Sequence, residues 1–176
     1  MKKILATLCS AATAICIFPL QAGTIQGNLG VSLTIGAGCV VNGGNSAGSV
    51  NDFGAINFGT YSSLANIIDA SSSGSGGAGT LALECTDGTD YTVALNNGLN
   101  ATGTQRRMAS TAGAFINYNL YRDAAHSQPW NDTDGTLTGT GSGAAQPLIV
   151  YGRVPAASST PAEGAYNDTV TMTVSW

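Results

Sequence analysis

Few side chains in this 176-residue sequence could do chemistry. His126 is the only histidine, so a Ser–His–Asp triad would have to use it, with Asp123 or Asp132 as the orienting carboxylate. It stands beside Ser127 and Gln128 in a polar stretch, the setting of a solvated side chain. Gly74-Ser75-Gly76-Gly77-Ala78-Gly79 has the glycine spacing of a dinucleotide-binding turn. No strand–helix–strand context surrounds it, so it reads as a Gly/Ser loop. Asn131-Asp132-Thr133-Asp134-Gly135 resembles part of a calcium loop, but Trp130 occupies the first ligand position and no Glu closes the motif, which leaves a polar turn. Two distant cysteines and one histidine make a poor metal set. Asn100, Asn131 and Asn167 each begin an N-x-Thr triplet, a pattern that arises by chance in a Thr-rich chain. No catalytic constellation emerges, and the chain is expected to be no enzyme and to need no cofactor and no metal.

The elements that would carry such residues are strands. Charged residues are 9% of the chain against a usual value of about 25%, and glycine contributes 24 positions. Scarce Lys and Glu among many Gly, Thr, Ser and Asn disfavour helices, while 43% hydrophobic residues can supply a core. The formal charge of −4 argues against nucleic acid, whose phosphates call for a basic surface.

Lys2 and Lys3 precede an apolar run from Ile4 to Leu20, and Gln21-Ala22-Gly23 offers a small residue before a cut. Thr7, Ser10, Thr13 and Pro19 interrupt that run, which suits a cleaved export signal over residues 1–22 better than a membrane anchor. A lipid attachment site is disfavoured because Cys9 and Cys16 follow Leu8 and Ile15 rather than a small residue. Cleavage leaves 154 residues with no lysine, four arginines and ten acids, a net charge of −6 that rules out a basic membrane-binding face. Two cysteines remain, Cys39 and Cys85, and an exported chain with that count most simply forms one disulfide. Closing a loop of 46 residues contributes about 4 kcal/mol in the chain-entropy model.

Alternation with period two begins at once. Ile25, Gly27, Leu29, Val31, Leu33 and Ile35 share one face of an extended segment, and Thr24, Gln26, Asn28, Gly30, Ser32 and Thr34 the other. At the far end Val170, Met172, Val174 and Trp176 alternate with threonines and Ser175, so the chain is expected to stop within a buried strand. Residues 50–58, 79–85, 91–95, 114–122 and 146–153 read as further strands, about seven in all, the number in an immunoglobulin-like sandwich. Residues 71–79 and 135–145 read as surface loops. A sandwich that ends one strand short exposes an apolar groove and an unpaired edge. The N-terminal segment has the pattern to fill such a groove in another copy, with Ile25, Leu29, Val31 and Leu33 entering successive pockets and Gly27 a shallow one. The competing reading pairs residues 24–35 within their own domain as an ordinary first strand.

A set of motifs then resembles a known family. Gly38-Cys39-Val40-Val41, Phe53-Gly54-Ala55-Ile56-Asn57-Phe58-Gly59, Cys85-Thr86-Asp87-Gly88, Tyr118-Asn119-Leu120-Tyr121-Arg122-Asp123 and Gly164-Ala165-Tyr166-Asn167-Asp168-Thr169-Val170 look like the spore coat U domain. That domain forms the pilin subunits of archaic, Csu-type chaperone–usher pili. The resemblance implies an all-β, incomplete immunoglobulin-like sandwich lacking its last strand, with Cys39 and Cys85 joined. It implies a donor-strand extension at 23–34 and a pilin domain at 35–176, whose acceptor groove is expected to be lined partly by the final strand, Val170, Met172, Val174 and Trp176. It further implies a periplasmic chaperone that lends a strand, an outer-membrane usher where a sister subunit's extension replaces it, and an extracellular fibre for adhesion and biofilm formation. One domain plus an extension suits a shaft or adaptor subunit rather than a tip adhesin. The alternatives are a spore-coat or envelope structural protein, or a monomeric carbohydrate-binding module with Trp130, Tyr118 and Tyr121 as stacking platforms.

Overall fold

The computed structural model describes residues 23–41, 51–73 and 81–176. Among these there is no helix, and the chain divides into two units, Met1–Thr34 and Ile35–Trp176. In the first unit, residues 23–34 belong to no ladder, and the side chains of Ile25, Leu29, Val31 and Leu33 stand open to solvent.

Among the described residues the second unit holds twelve β segments: β1 (Cys39–Val41), β2 (Ala55–Ile56), β3 (Ile68–Ser73), β4 (Ala82–Cys85), β5 (Asp90–Leu95), β6 (Arg106–Ser110), β7 (Phe115–Tyr121), β8 (Leu137–Thr140), β9 (Gln146–Pro147), β10 (Tyr151–Val154), β11 (Tyr166–Asn167) and β12 (Met172–Ser175). One sheet runs β11-β6-β7-β10-β3-β2, all neighbours antiparallel. The other face is formed by β1-β4-β9 and β12-β5-β8. These two ladders merge, because β4 turns into β5 with Gly88 at φ 75° and main-chain bonds join Cys85, Gly88 and Thr89 to the segment between β8 and β9. A φ in that region favours glycine. The effect is one long kinked strand, β4–β5, with β8–β9 along one side and β1 and β12 along the other.

Alternation builds the core between the sheets. On β7 Tyr118 and Leu120 point inward while Phe115 and Asn117 face water, and on β5 Val93 and Leu95 are buried. Leu64, Ile68, Leu81, Leu83, Cys85, Trp130, Leu148, Val150 and Val154 complete the cluster. Trp130 is 1% exposed and its indole N–H donates to the Val93 carbonyl at 2.9 Å, so the loop after β7 is fastened to β5. At Gly152 the Phe58 ring packs so close that an added Cβ would lie 2.8 Å from it. Phe58 in turn meets the Tyr118 ring edge-on at 6.4 Å.

Several sequence expectations are corrected here. The segment 71–79 is not all loop: Ser71, Ser72 and Ser73 finish β3, held by β10 and β2, and residues 74–79, with the glycine motif, lie outside the described residues. The expected loop 135–145 contains β8, whose small residues suit pairing with β5, where the Tyr91 ring lies across Gly139. Among the described residues 51–58 only Ala55–Ile56 pairs, and 146–153 splits into β9 and β10 because the chain crosses between sheets. The count of about seven strands was therefore low.

Candidate functional site: an open sheet edge

β12 pairs with β5 through Met172↔Leu95, Thr173↔Ala94, Val174↔Val93 and Ser175↔Thr92. Among the described residues its other side pairs with nothing, and the same holds for the outer side of β1. Both strands run antiparallel to β4–β5 on the same flank, so they line one edge in tandem. Val170, Met172 and Val174 are half-buried and pack on the core, while Trp176, one residue past the last pair, is 61% exposed. Half-burial of an inward row on an edge strand is what an incomplete apolar layer looks like.

A partly buried polar network fixes the entry to this strand. One Asp168 carboxylate oxygen accepts the Leu99 and Asn100 amides at 3.0 and 3.1 Å and the Asn100 side-chain amide at 3.0 Å. The other accepts the Tyr118 hydroxyl at 2.6 Å. Burial, and then the carboxylate it bonds, push the Tyr118 phenol far up, so it stays a neutral donor. Arg106, 5% exposed, donates through Nε and Nη2 to the Asn96 carbonyl and through Nη2 to that of Leu95, at the end of β5. Burial lowers its pKa, yet an arginine remains charged. The Asn96 amide donates to the Thr171 carbonyl and the Leu99 amide to that of Thr169, carrying the pairing back to residue 169. β12 is thus an edge strand held firmly on one side and open on the other. Neither Arg106 nor Asp168 carried a role in the sequence; Asp168 sat inside a family motif, but its partners lie 50 and more residues away.

Cys39 and Cys85 form a disulfide across the first pair of the β1–β4 ladder. The Thr86 amide and hydroxyl donate to the Gly38 carbonyl, and the hydroxyl also reaches that of Gly36.

The residues whose types could do chemistry are occupied otherwise. The His126 amide donates to the Asp123 carbonyl at 3.0 Å, but its ring bonds neither the Asp123 nor the Asp132 carboxylate. Its Nε2 is 3.6 Å from Asp69, its Nδ1 is 3.1 Å from Arg153 Nη2, and its ring stands edge-on to Tyr121 and Tyr151. Asp123 instead caps its own loop, accepting the Ser127 and Gln128 amides and the Ser127 hydroxyl. Asp69 and Arg153 are cross-strand partners joined by two bonds of 2.7 Å, and that pairing holds the Asp69 carboxyl below its usual range. In the calcium-like stretch, Asn131 Oδ1 accepts the Thr133 and Gly135 amides, which makes it the hub of a polar turn. The stacking trio fails on burial: Trp130 and Tyr118 lie in the core and only Tyr121 is half-open.

Comparison with known proteins agrees with this architecture. The sequence model of the Spore Coat Protein U domain matches residues 25–173. Protein U of Myxococcus xanthus is 33% identical over 184 aligned positions, covering 100% of this chain and 98% of that protein. Among solved structures, a chain of the CsuC–CsuE chaperone–tip adhesion subunit pre-assembly complex, from the archaic chaperone–usher Csu pili of Acinetobacter baumannii, superposes with a TM-score of 0.53. Identity there is 19%, so the likeness speaks to fold; it covers 81% of this chain and 41% of that one. The architecture is an all-β, immunoglobulin-like sandwich, and the chain belongs to the Spore Coat Protein U domain family.

Proposed function

We propose that this protein is a structural pilus subunit that polymerises head to tail by donor-strand complementation. The observation that carries the reading is the open side of β12. A fixed edge strand with half-buried Val170, Met172 and Val174 lacks the neighbour that would finish both the ladder and the core. The same chain supplies a strand of matching chemistry. Ile25, Leu29, Val31 and Leu33 alternate with polar residues and are 88–101% exposed, so nothing among the described residues covers them. Burying four such side chains contributes about 6–12 kcal/mol before the cost of association, and main-chain bonds along the edge add to it.

Used in trans, this pairing is heterologous: the donor patch and the acceptor patch differ, so each added subunit presents a new open edge. A contact of that kind does not close and gives a filament. Strand addition of this sort is an established mode of pilin recognition. In this reading residues 1–22 direct export and are removed, and a chaperone covers the open edge in the periplasm. An usher then hands subunits to the growing fibre, and the fibre serves adhesion and biofilm formation at the cell surface. The similarity to a chaperone–subunit complex supports the chaperone step. Val170, Met172, Val174 and Trp176 are the groove residues, and Ile25, Gly27, Leu29, Val31 and Leu33 the donor residues.

The test is a gel. Material sheared from cells that express the protein with its export partners is run on SDS gels without reductant or boiling. Strand-exchanged fibres give a ladder of multiples that collapses to monomer on heating; a single monomer band from protein free in the medium contradicts the proposal.

A further inference from the structure

The position of the disulfide has a mechanical consequence, which rests on the fibre reading above. In a fibre joined by donor strands, tension enters each subunit at Gly38 and Cys39, where the N-terminal segment is covalently continued into the domain. It leaves through the strand seated on β12. Between these points the chain offers two routes. The main-chain route runs from β1 through the whole loop to β4. Its first obstacle is a ladder of three pairs, Cys39↔Cys85, Val40↔Glu84 and Val41↔Leu83, and a pull on the N-terminal side opens the Cys39↔Cys85 pair first. A ladder loaded at its end breaks one pair at a time, so three pairs on an open edge give little resistance.

The disulfide closes that first pair. Force arriving at Cys39 therefore crosses directly to Cys85, passes along Thr86–Thr89 into β5, and reaches β12 through four cross-strand pairs in shear. The hydrogen bonds from Thr86 to the carbonyls of Gly36 and Gly38 steady the entry point but are single non-covalent contacts. We infer that the Cys39–Cys85 disulfide is a tension staple: it routes force from the donor segment straight to the strand that holds the acceptor edge, and takes the 46-residue loop with β1, β2 and β3 out of the tensile path. This role lies beyond stabilisation of the free subunit, because it concerns which part of a folded domain carries load.

The experiment is single-fibre stretching before and after reduction of assembled fibres, with the unboiled gel ladder run on the same samples. Oxidised fibres should show no release of length from the loop. Reduced fibres should still give a ladder at rest but lengthen further under tension. Peeling from Cys39 to the start of β2 releases up to about 50 Å per subunit, and unravelling the whole loop up to about 155 Å, at roughly 3.4 Å per residue. Extension that is the same before and after reduction overturns the inference and leaves the fibre reading intact. Fibres that fall apart at rest on reduction also overturn it, since the bond would then hold the joint itself. Failure to form fibres in the oxidised state removes the fibre reading, and the inference with it. Because a Cys39→Ser, Cys85→Ser double variant can fail to fold, reduction after assembly is the primary measurement. Thr86→Val, which keeps the disulfide, is the control and should extend like the wild type; extra length from it would assign the role to the hydrogen bonds instead.

Discussion

Leu29→Asp separates the donor reading from every reading in which the N-terminal segment is passive. Leu29 is 89% exposed in its own chain, and an added Cβ at Gly27 or Gly30 on either side of it would meet no atom within 4 Å. Substitution at such a site changes the stability of the free subunit by no more than about 0.5 kcal/mol. In the proposed joint the same side chain enters an apolar pocket. Exchanging it for a carboxylate loses about 2 kcal/mol of burial and adds several kcal/mol for an unpaired charge or its neutralisation, near 5 kcal/mol together. That corresponds to a fall of roughly a thousandfold or more in the stability of the joint. Leu29→Ala, which loses only the burial, should fall by roughly thirtyfold. Asn28→Asp carries the same charge on the opposite face and should assemble normally, because residues one apart point to opposite sides of a strand. The assay is the ratio of heat-labile multimer to monomer, with the periplasmic yield of folded subunit as the control. Leu29→Asp assembling as well as Asn28→Asp would refute the reasoning.

Four further outcomes follow from the domain itself. Trp130→Ala removes the most deeply buried indole and its bond to Val93, and should cost about 3–5 kcal/mol in urea unfolding; a change under 1 kcal/mol would contradict its place in the core. Asp168→Ala leaves the Tyr118 hydroxyl and the Asn100 amide without their acceptor, and should cost about 2–4 kcal/mol while raising hydrogen exchange at residues 96–100. Reduction of Cys39–Cys85 in the free subunit should lower stability by about 4 kcal/mol, seen as an earlier denaturation midpoint. Asp69 has a depressed pKa, so its ion pair with Arg153 contributes above the unfolded value near 4 and is lost as pH falls through the lower folded value. The contribution is small because the pair is exposed, and Asp69→Asn should flatten the acid limb of a melting profile; an unchanged limb would count against the pair.

What could be read in the sequence, and what could not, follows from where the information resides. β5, β7 and β12 were legible because each alternates large apolar and polar residues, and that pattern is a property of the segment alone. The exposed N-terminal row was legible for the same reason. β3 and β8 were not. Ile-Asp-Ala-Ser-Ser-Ser and Leu-Thr-Gly-Thr have the composition of turns, and they are strands because β10 and β5 pair with them. β6 begins with two arginines, and nothing local shows that Arg106 turns inward to cap the end of β5. The polar network around Asp168 and the Asp69–Arg153 pair join residues brought together by register between strands far apart in the chain, 84 positions in the second case. The open edge was anticipated from the pattern at the far end of the chain, whereas its tandem composition from β12 and β1 needed the ladder pairings.

The most direct measurement is amide hydrogen exchange on residues 23–34 and 170–176, compared between isolated subunit and assembled fibre. Donor-strand addition predicts that residues 23–34 and those β12 amides that face away from β5 exchange quickly in the subunit and become protected together in the fibre, since each supplies hydrogen-bond partners of the other. Protection, already in the isolated subunit, of the β12 amides that face away from β5, or rapid exchange of residues 23–34 within fibres, would contradict the account.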